Sequence, residues 1–106
     1  MIKSMVEIIT LKNHIEYSPG SVVSRTLKES KTGTITLFAF DAGQGLSEHS
    51  APFDAVVQVI DGEGLFVIGG EEHILKTGEL IIMPASVPHS VKAVKKFKML
   101  LTMLRA

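Results

Sequence analysis

The stretch from Ala55 to Val94, AVVQVIDGEGLFVIGGEEHILKTGELIIMPASVPHSVKAV, alternates short apolar runs with turn signals. Ala55-Val56-Val57-Gln58-Val59-Ile60 is rich in β-branched residues and runs into Asp61-Gly62, which is expected to end the strand in a turn. Leu65 to Ile68 and His73 to Leu75 flank Gly69-Gly70, a pair suited to a two-residue hairpin because both central residues need positive φ. Thr77-Gly78 turns the chain into Leu80-Ile81-Ile82-Met83, which stops at Pro84. After the loop Ala85 to Pro88, the segments His89 to Val94 and Phe97 to Leu104 are expected to form a last hairpin across Lys95-Lys96. Upstream, Val22 to Leu27 and Thr34 to Phe40 read as a hairpin around the polar Glu29 to Gly33, and Asp41 to Gln44 breaks the pattern at Gly43. Turn signals recurring about every 8–12 residues predict an all-β sandwich or barrel. A helix is an option only in Met5 to Tyr17, where the apolar spacing is ambiguous and Pro19-Gly20 closes the segment.

At 106 residues the chain is expected to be one domain, 1–106. Eleven Lys+Arg balance eleven Asp+Glu, and the pI of about 6.9 excludes a basic nucleic-acid binder. A 45% hydrophobic content with mean hydropathy +0.30 excludes a disordered chain. The lack of cysteine removes disulfide frameworks, zinc ribbons, iron–sulfur sites and thiol nucleophiles together. No apolar run approaches the roughly 18 residues of a membrane span. Glu7 interrupts the apolar N-terminus, which is not the pattern of a signal peptide. A soluble, cytoplasmic protein with no nucleic-acid or membrane partner is the expectation.

Phe97, Met99, Leu101 and Met103 lie on one face of a strand, and Leu100 and Leu104 lie on the other. Both faces then need cover, from a second subunit or from the N-terminal segment; a homodimer is the expectation. Charge is segregated: residues 41–79 hold eight acids against Lys76 alone, whereas residues 80–106 hold Lys92, Lys95, Lys96, Lys98 and Arg105 and no acid. The preferred reading is a solvated face and a charged hairpin tip that discourages edge pairing.

Of the four histidines, His14 has no evident partner, and His73 follows a hairpin as an exposed strand residue. His49 and His89 instead stand beside turn-rich segments where strands begin, in Gly43-Gln44-Gly45-Leu46-Ser47-Glu48-His49 and Pro84-Ala85-Ser86-Val87-Pro88-His89. Here the chain resembles the cupin superfamily, and within it the small single-domain cupins of conserved-barrel type. The first family motif is G-x5-H-x-H-x3-4-E-x6-G, onto which Gly43, His49, Ala51, Ala55 and Gly62 fall. The second is G-x5-P-x-G-x2-H-x3-N, onto which Gly78, Pro84, Ser86, His89 and Ala93 fall. The frame covers residues 43–93, about half the chain. The resemblance implies a jelly-roll β-barrel, in a superfamily that includes dioxygenases, isomerases, decarboxylases, sugar-binding regulators and storage proteins.

The resemblance also implies a divalent metal site, but its four ligand positions hold His49, Ala51, Ala55 and His89 here. Two methyl groups cannot coordinate, and catalytic sites usually keep three protein ligands. Asp54, Glu48 and Gln58 are the nearest substitutes. If Ala55 points into the barrel, Val57 and Val59 follow it and Asp54 and Gln58 point away. The expected inner wall is apolar, with the imidazoles of His49 and His89 converging at one end. The ligand pocket would be His49, Ala51, Ala55, Val57 and His89.

Three functions compete. The first is binding of a small molecule, with His49 and His89 as anchors or as acid–base groups. The second is a metal-dependent enzyme of oxygenase or isomerase type, with His49 and His89 as a reduced ligand set. The third is a structural or interaction module with a filled barrel. Met83 and Met99 are read as core filler, and Phe38, Phe40 and Phe53 as core or interface aromatics. Tyr17 has no identifiable partner. No phosphate-cradling glycine loop and no Ser-His-Asp arrangement is present.

Overall fold

The computed structural model describes residues 6–105 and is almost entirely strand. β1 (Val22–Ser30) and β2 (Gly33–Phe40) form the first hairpin. β3 (Gly45–His49), β4 (Asp54–Ile68), β5 (Glu71–Lys76), β6 (Leu80–Met83), β7 (His89–Lys92) and β8 (Phe97–Leu104) follow. All pairings are antiparallel, in the order β1-β2-β8-β4-β7-β3, with β5 and β6 also on β4. The sheet curls on itself as a jelly-roll barrel. Among the described residues no helix is long and apolar enough to cross a membrane.

β4 is the spine of the barrel. Along one edge it pairs with β5 and then β6, from Ile68↔Glu71 to Ala55↔Met83. Along the other it pairs with β7 and then β8, from Ile68↔His89 to Asp54↔Leu104. The loop from Met83 to His89 must therefore connect the two ends of β4. Its six steps reach about 21 Å, whereas a straight strand would separate Ala55 from Ile68 by about 43 Å. β4 has to fold over. It does so at the register shift between Val59 and Asp61, where Gly62 takes φ 74°. A Cβ at Gly62 would collide with the Lys96 carbonyl oxygen and lie 3.1 Å from the Phe97 Cα. Neighbouring strands break on the same line. Gly78 N–H donates to the Val59 carbonyl at 2.8 Å, and Gly43 N–H donates to the Ala93 carbonyl at 2.7 Å.

Two expectations are corrected by this bend. Asp61-Gly62 does not end a strand, because β8 holds both residues through Asp61↔Lys98 and Gly62↔Phe97. Nor do β7 and β8 form a hairpin. The chain passes Lys95-Lys96 without reversing and continues along the same edge of β4, so β4 and not β7 is the partner of β8. The Gly69-Gly70 turn is as expected, with φ of 57° and 83°.

The two halves of the folded sheet enclose the main core: Phe40, Phe66 and Phe97 with Ala55, Val57, Val59, Leu75, Met83, Val91, Ala93 and Met99. Phe40 stacks on Phe97 at 4.6 Å and on Phe38 at 5.8 Å. A second, smaller core lies on the outside, where Leu37 and Ala39 meet Ile15, with Leu11, Tyr17, Ile60 and Leu100 against them. The N-terminal segment thus supplies cover for the outer face at Leu100. It is a strap with one 3-10 turn, Leu11–Asn13. A helix would place Tyr17 about 200° around from Ile15, so it could not turn both toward the sheet. Met5, where the helix option began, lies outside the described residues.

The strap is also fastened by polar groups that the sequence did not reveal. Tyr17 donates its hydroxyl hydrogen to Asp61 Oδ2 at 2.6 Å. Lys98 is not part of a solvated face: it is 6% exposed, donates to the Lys12 carbonyl at 2.6 Å and lies 4.8 Å from the Tyr17 ring centre. Lys12 Nζ stands 3.7 Å from Asp61 Oδ1. Desolvation, and then the bond and charge of Asp61, push the Tyr17 phenol above its ordinary value of 10.0.

Gly62→Ala is expected to lower stability by about 2 kcal/mol in urea unfolding, because the alanine meets both the backbone strain and the Lys96 carbonyl. Tyr17→Phe is expected to cost about 1.5 kcal/mol at neutral pH. The folded phenol holds its proton more tightly than the unfolded one. The Tyr17 contribution is therefore complete below pH 10 and lost as pH rises past it. The stability gap between parent and Tyr17→Phe should shrink above pH 10; a constant gap would contradict this linkage.

Candidate functional site

His49 ends β3 and His89 begins β7, and the two are register partners across that pair of strands. Two contacts set this alignment. Ser86 N–H donates to the Ala51 carbonyl at 2.7 Å, and Ala85 N–H donates to Asp54 Oδ1 at 2.9 Å. The loop before β7 is thereby tied to the loop after β3. Ser86 takes φ 65°, the one positive value at a non-glycine among the described residues, at the position where the family motif has glycine. Such strain persists only where surrounding contacts over-determine the backbone.

The two imidazoles meet edge to face, 4.3 Å between ring centres and 71° between planes, with Nε2 to Nε2 at 3.0 Å. Each Nδ1 lies against a backbone carbonyl two residues earlier, His49 on Ser47 at 2.7 Å and His89 on Val87 at 3.1 Å. A carbonyl only accepts, so both Nδ1 atoms carry hydrogen and donate. His89 is buried and His49 is exposed, so the pair runs from the interior to the rim.

Behind the pair lies a cavity of about 270 Å³ between the halves of the sheet. His49, Ala51, Ala55, Val57 and His89 all line it. Val59 points inward as the alternation requires but is packed in the core and does not line it, whereas Asp54 and Gln58 are exposed. Met83 and Met99, read as core filler, are buried and also form the cavity wall. Leu46, Val91, Leu101 and Met103 complete the lining. Alternation from His89 reaches Val91, and alternation from Met99 reaches Leu101 and Met103. Leu46 is offset from His49 by a register shift and carried no such signal. Phe38, Phe40 and Phe53 stay out of the cavity; Phe53 stacks under Arg105 at 5.2 Å. His73 pairs with Glu71 at 3.2 Å, and His14 is engaged through its backbone, its N–H donating to the Leu11 carbonyl and its carbonyl accepting from Arg25.

The residues do not compose a metal centre. Ala51 and Ala55 leave two imidazoles where a catalytic ion usually keeps three protein donors. Asp54, Glu48 and Gln58 are exposed, and Asp54 Oδ1 accepts from the Ala85 amide. Among the described residues no group of three His, Cys, Asp or Glu side chains is placed to hold an ion.

The family model for the cupin domain, Cupin_2, matches residues 36–104. No curated protein matches the chain. Among solved structures, a conserved protein of unknown function from Streptococcus pyogenes is 33% identical with a TM-score of 0.90, covering 94% of this chain and 88% of that one. A cupin 2 conserved barrel domain protein from Leptotrichia buccalis is 39% identical at TM-score 0.84, over 86% of this chain and 44% of that one. An RmlC-like cupin from Desulfovibrio desulfuricans is 30% identical at TM-score 0.82, over 93% and 96%.

Ser86→Gly should relieve the left-handed strain and raise stability by about 0.5 kcal/mol, the relief being offset in part by the greater freedom of glycine in the unfolded chain. Ser86→Val should lower it by about 1 kcal/mol. Thermal unfolding of both variants checks the sign, and a less stable glycine variant would contradict the account.

Proposed function

The chain belongs to the cupin family, and from that premise we propose that its barrel binds a small organic molecule, with an apolar body in the cavity and a polar end on the His49–His89 pair. The observation that carries this reading is the lining: among the described residues, His49 and His89 supply its only polar side chains, and the other lining side chains are apolar. Concave apolar sites with few convergent polar groups are the usual form of small-molecule sites. A filled structural barrel is disfavoured by the open volume of about 270 Å³. A metal-dependent oxygenase or isomerase is disfavoured by the two-imidazole donor set. The proposed setting is the cytoplasm.

The reading also includes pairing of two copies. Leu80, Ile82 and Leu104 remain exposed on the outer face beside the strip that the strap covers. Sedimentation velocity should give a dimer mass that Ile82→Lys reduces to the monomer; a monomeric parent would remove this part of the proposal.

The binding reading is tested by NMR of methionine methyl groups with benzyl alcohol, benzamide and benzoate as probes. The signals of Met83, Met99 and Met103 should move. The His49→Ala/His89→Ala variant should bind about tenfold more weakly. Equal binding by the variant would end the reading. Near-stoichiometric metal in the parent but not in the variant, by elemental mass spectrometry, would favour the enzyme.

A further inference from the structure

The row of side chains around Ala55 narrows the ligand class, on the footing of the small-molecule reading above. Ala55 is the first inward-facing residue of β4, and its register partners are Met83 on β6 along one edge and Met103 on β8 along the other. All three line the cavity. Adjacent strands lie about 4.8 Å apart, so the backbones of the two methionines stand roughly 10 Å apart with a single methyl group between them. The next inward row sets Val57 between Ile81 and Leu101, and the row after it sets Val59 beside Met99. The wall formed by β4 is therefore lowest at Ala55. The row is a trough whose floor is a methyl group and whose two sides are thioethers.

This trough has the dimensions of a seat for an aromatic ring. A thioether sulfur is polarizable and makes favourable contacts with an aromatic ring from about 5 Å, often at the ring edge. A ring centred over Ala55 lies midway between the flanking strands, about 5 Å from each, so a sulfur can reach it from both sides. A saturated ring gains no such contact and is thicker. Met83 is buried, yet with Met103 it borders about 270 Å³ of open volume instead of filling it.

We propose that the cavity takes a small aromatic molecule, its ring seated over Ala55 between the thioethers of Met83 and Met103 and a hydrogen-bonding substituent turned to the His49–His89 pair. Ala55 makes room for the ring, which a larger side chain would displace. Met83 and Met103 set the preference for an aromatic over a saturated ring, and Met99, nearer the bend of β4, bounds the cavity behind it.

The test compares benzyl alcohol with cyclohexylmethanol by titration calorimetry. Both carry the same hydroxymethyl head, so the imidazole pair contributes alike to both affinities. The saturated ring has the larger apolar surface, and burial alone would favour it. Benzyl alcohol should nevertheless bind about fivefold more tightly, as two sulfur–aromatic contacts require. Its ring hydrogens should show NMR cross-relaxation to the methyl groups of both Met83 and Met103. In Met83→Leu/Met103→Leu, a substitution that nearly conserves volume, the affinity for cyclohexylmethanol should stay within about twofold of the parent and the preference for benzyl alcohol should vanish. Cyclohexylmethanol binding as tightly as benzyl alcohol in the parent would overturn the aromatic assignment alone and leave the small-molecule reading standing. Cross-relaxation that misses Met83 or Met103, or a preference that survives in the leucine variant, would likewise overturn the assignment, because the ring would then be held elsewhere. Failure of both alcohols to move the methyl signals of Met83, Met99 and Met103 would overturn both.

Discussion

A long strand hydrogen-bonded on both edges, with its two ends joined by a loop too short to span it, has to fold over. β4 is that strand, and the Met83-to-His89 connection is that loop. Breaking the ladder without abandoning it requires a register shift, a residue at positive φ and a tolerant neighbour, and Gly62 between Val59 and the Lys96-Phe97 backbone provides all three. Because β5–β6 and β7–β8 follow β4 along its edges, they bend where it bends. The interior between the halves is a consequence of one constraint propagated through a ladder of hydrogen bonds.

The same constraint builds the site. Folding β4 over brings the Met83–His89 loop across the barrel mouth, and the contacts of Ala85 and Ser86 with Asp54 and Ala51 bring His89 to the level of His49. The rings are then fixed from behind by carbonyls two residues upstream, which settle their tautomers and aim both Nε2 atoms at each other. Precision at the mouth comes from backbone groups, while the cavity behind comes from small and flexible side chains, Ala51, Ala55 and the methionines.

On the outside, apolar and polar fastening work together. Ile15 buries itself on Leu37 and Ala39, and the Tyr17–Asp61 bond and the Lys98–Lys12 contact close the strap over them. Lys98 is an instance of a cation whose sequence context and outward strand position both pointed to water, and which the strap covers. A run of lysines reads as a solvated tip, but outward-facing on a strand is solvated only if nothing lies over that face.

Much of the architecture was legible from residue types. Alternation in Ala55-Val56-Val57-Gln58-Val59 set which residues face inward, and the spacing of Gly43, His49, Gly62, Gly78, Pro84 and His89 identified the barrel and singled out the two histidines. These are local properties, fixed by side-chain period and by the backbone needs of glycine and proline. What only the tertiary structure decided is pairing. Asp61-Gly62 carries the chemistry of a turn and sits inside a strand, and Lys95-Lys96 looks like a hairpin tip and is a crossing, because the partner of each segment lies far away in sequence. The partner of Tyr17 lies 44 residues away. The contact between the two Nε2 atoms joins positions 40 residues apart. Whether two imidazoles meet depends on the separation and orientation of the strands that carry them, and a linear chain encodes neither until the barrel closes.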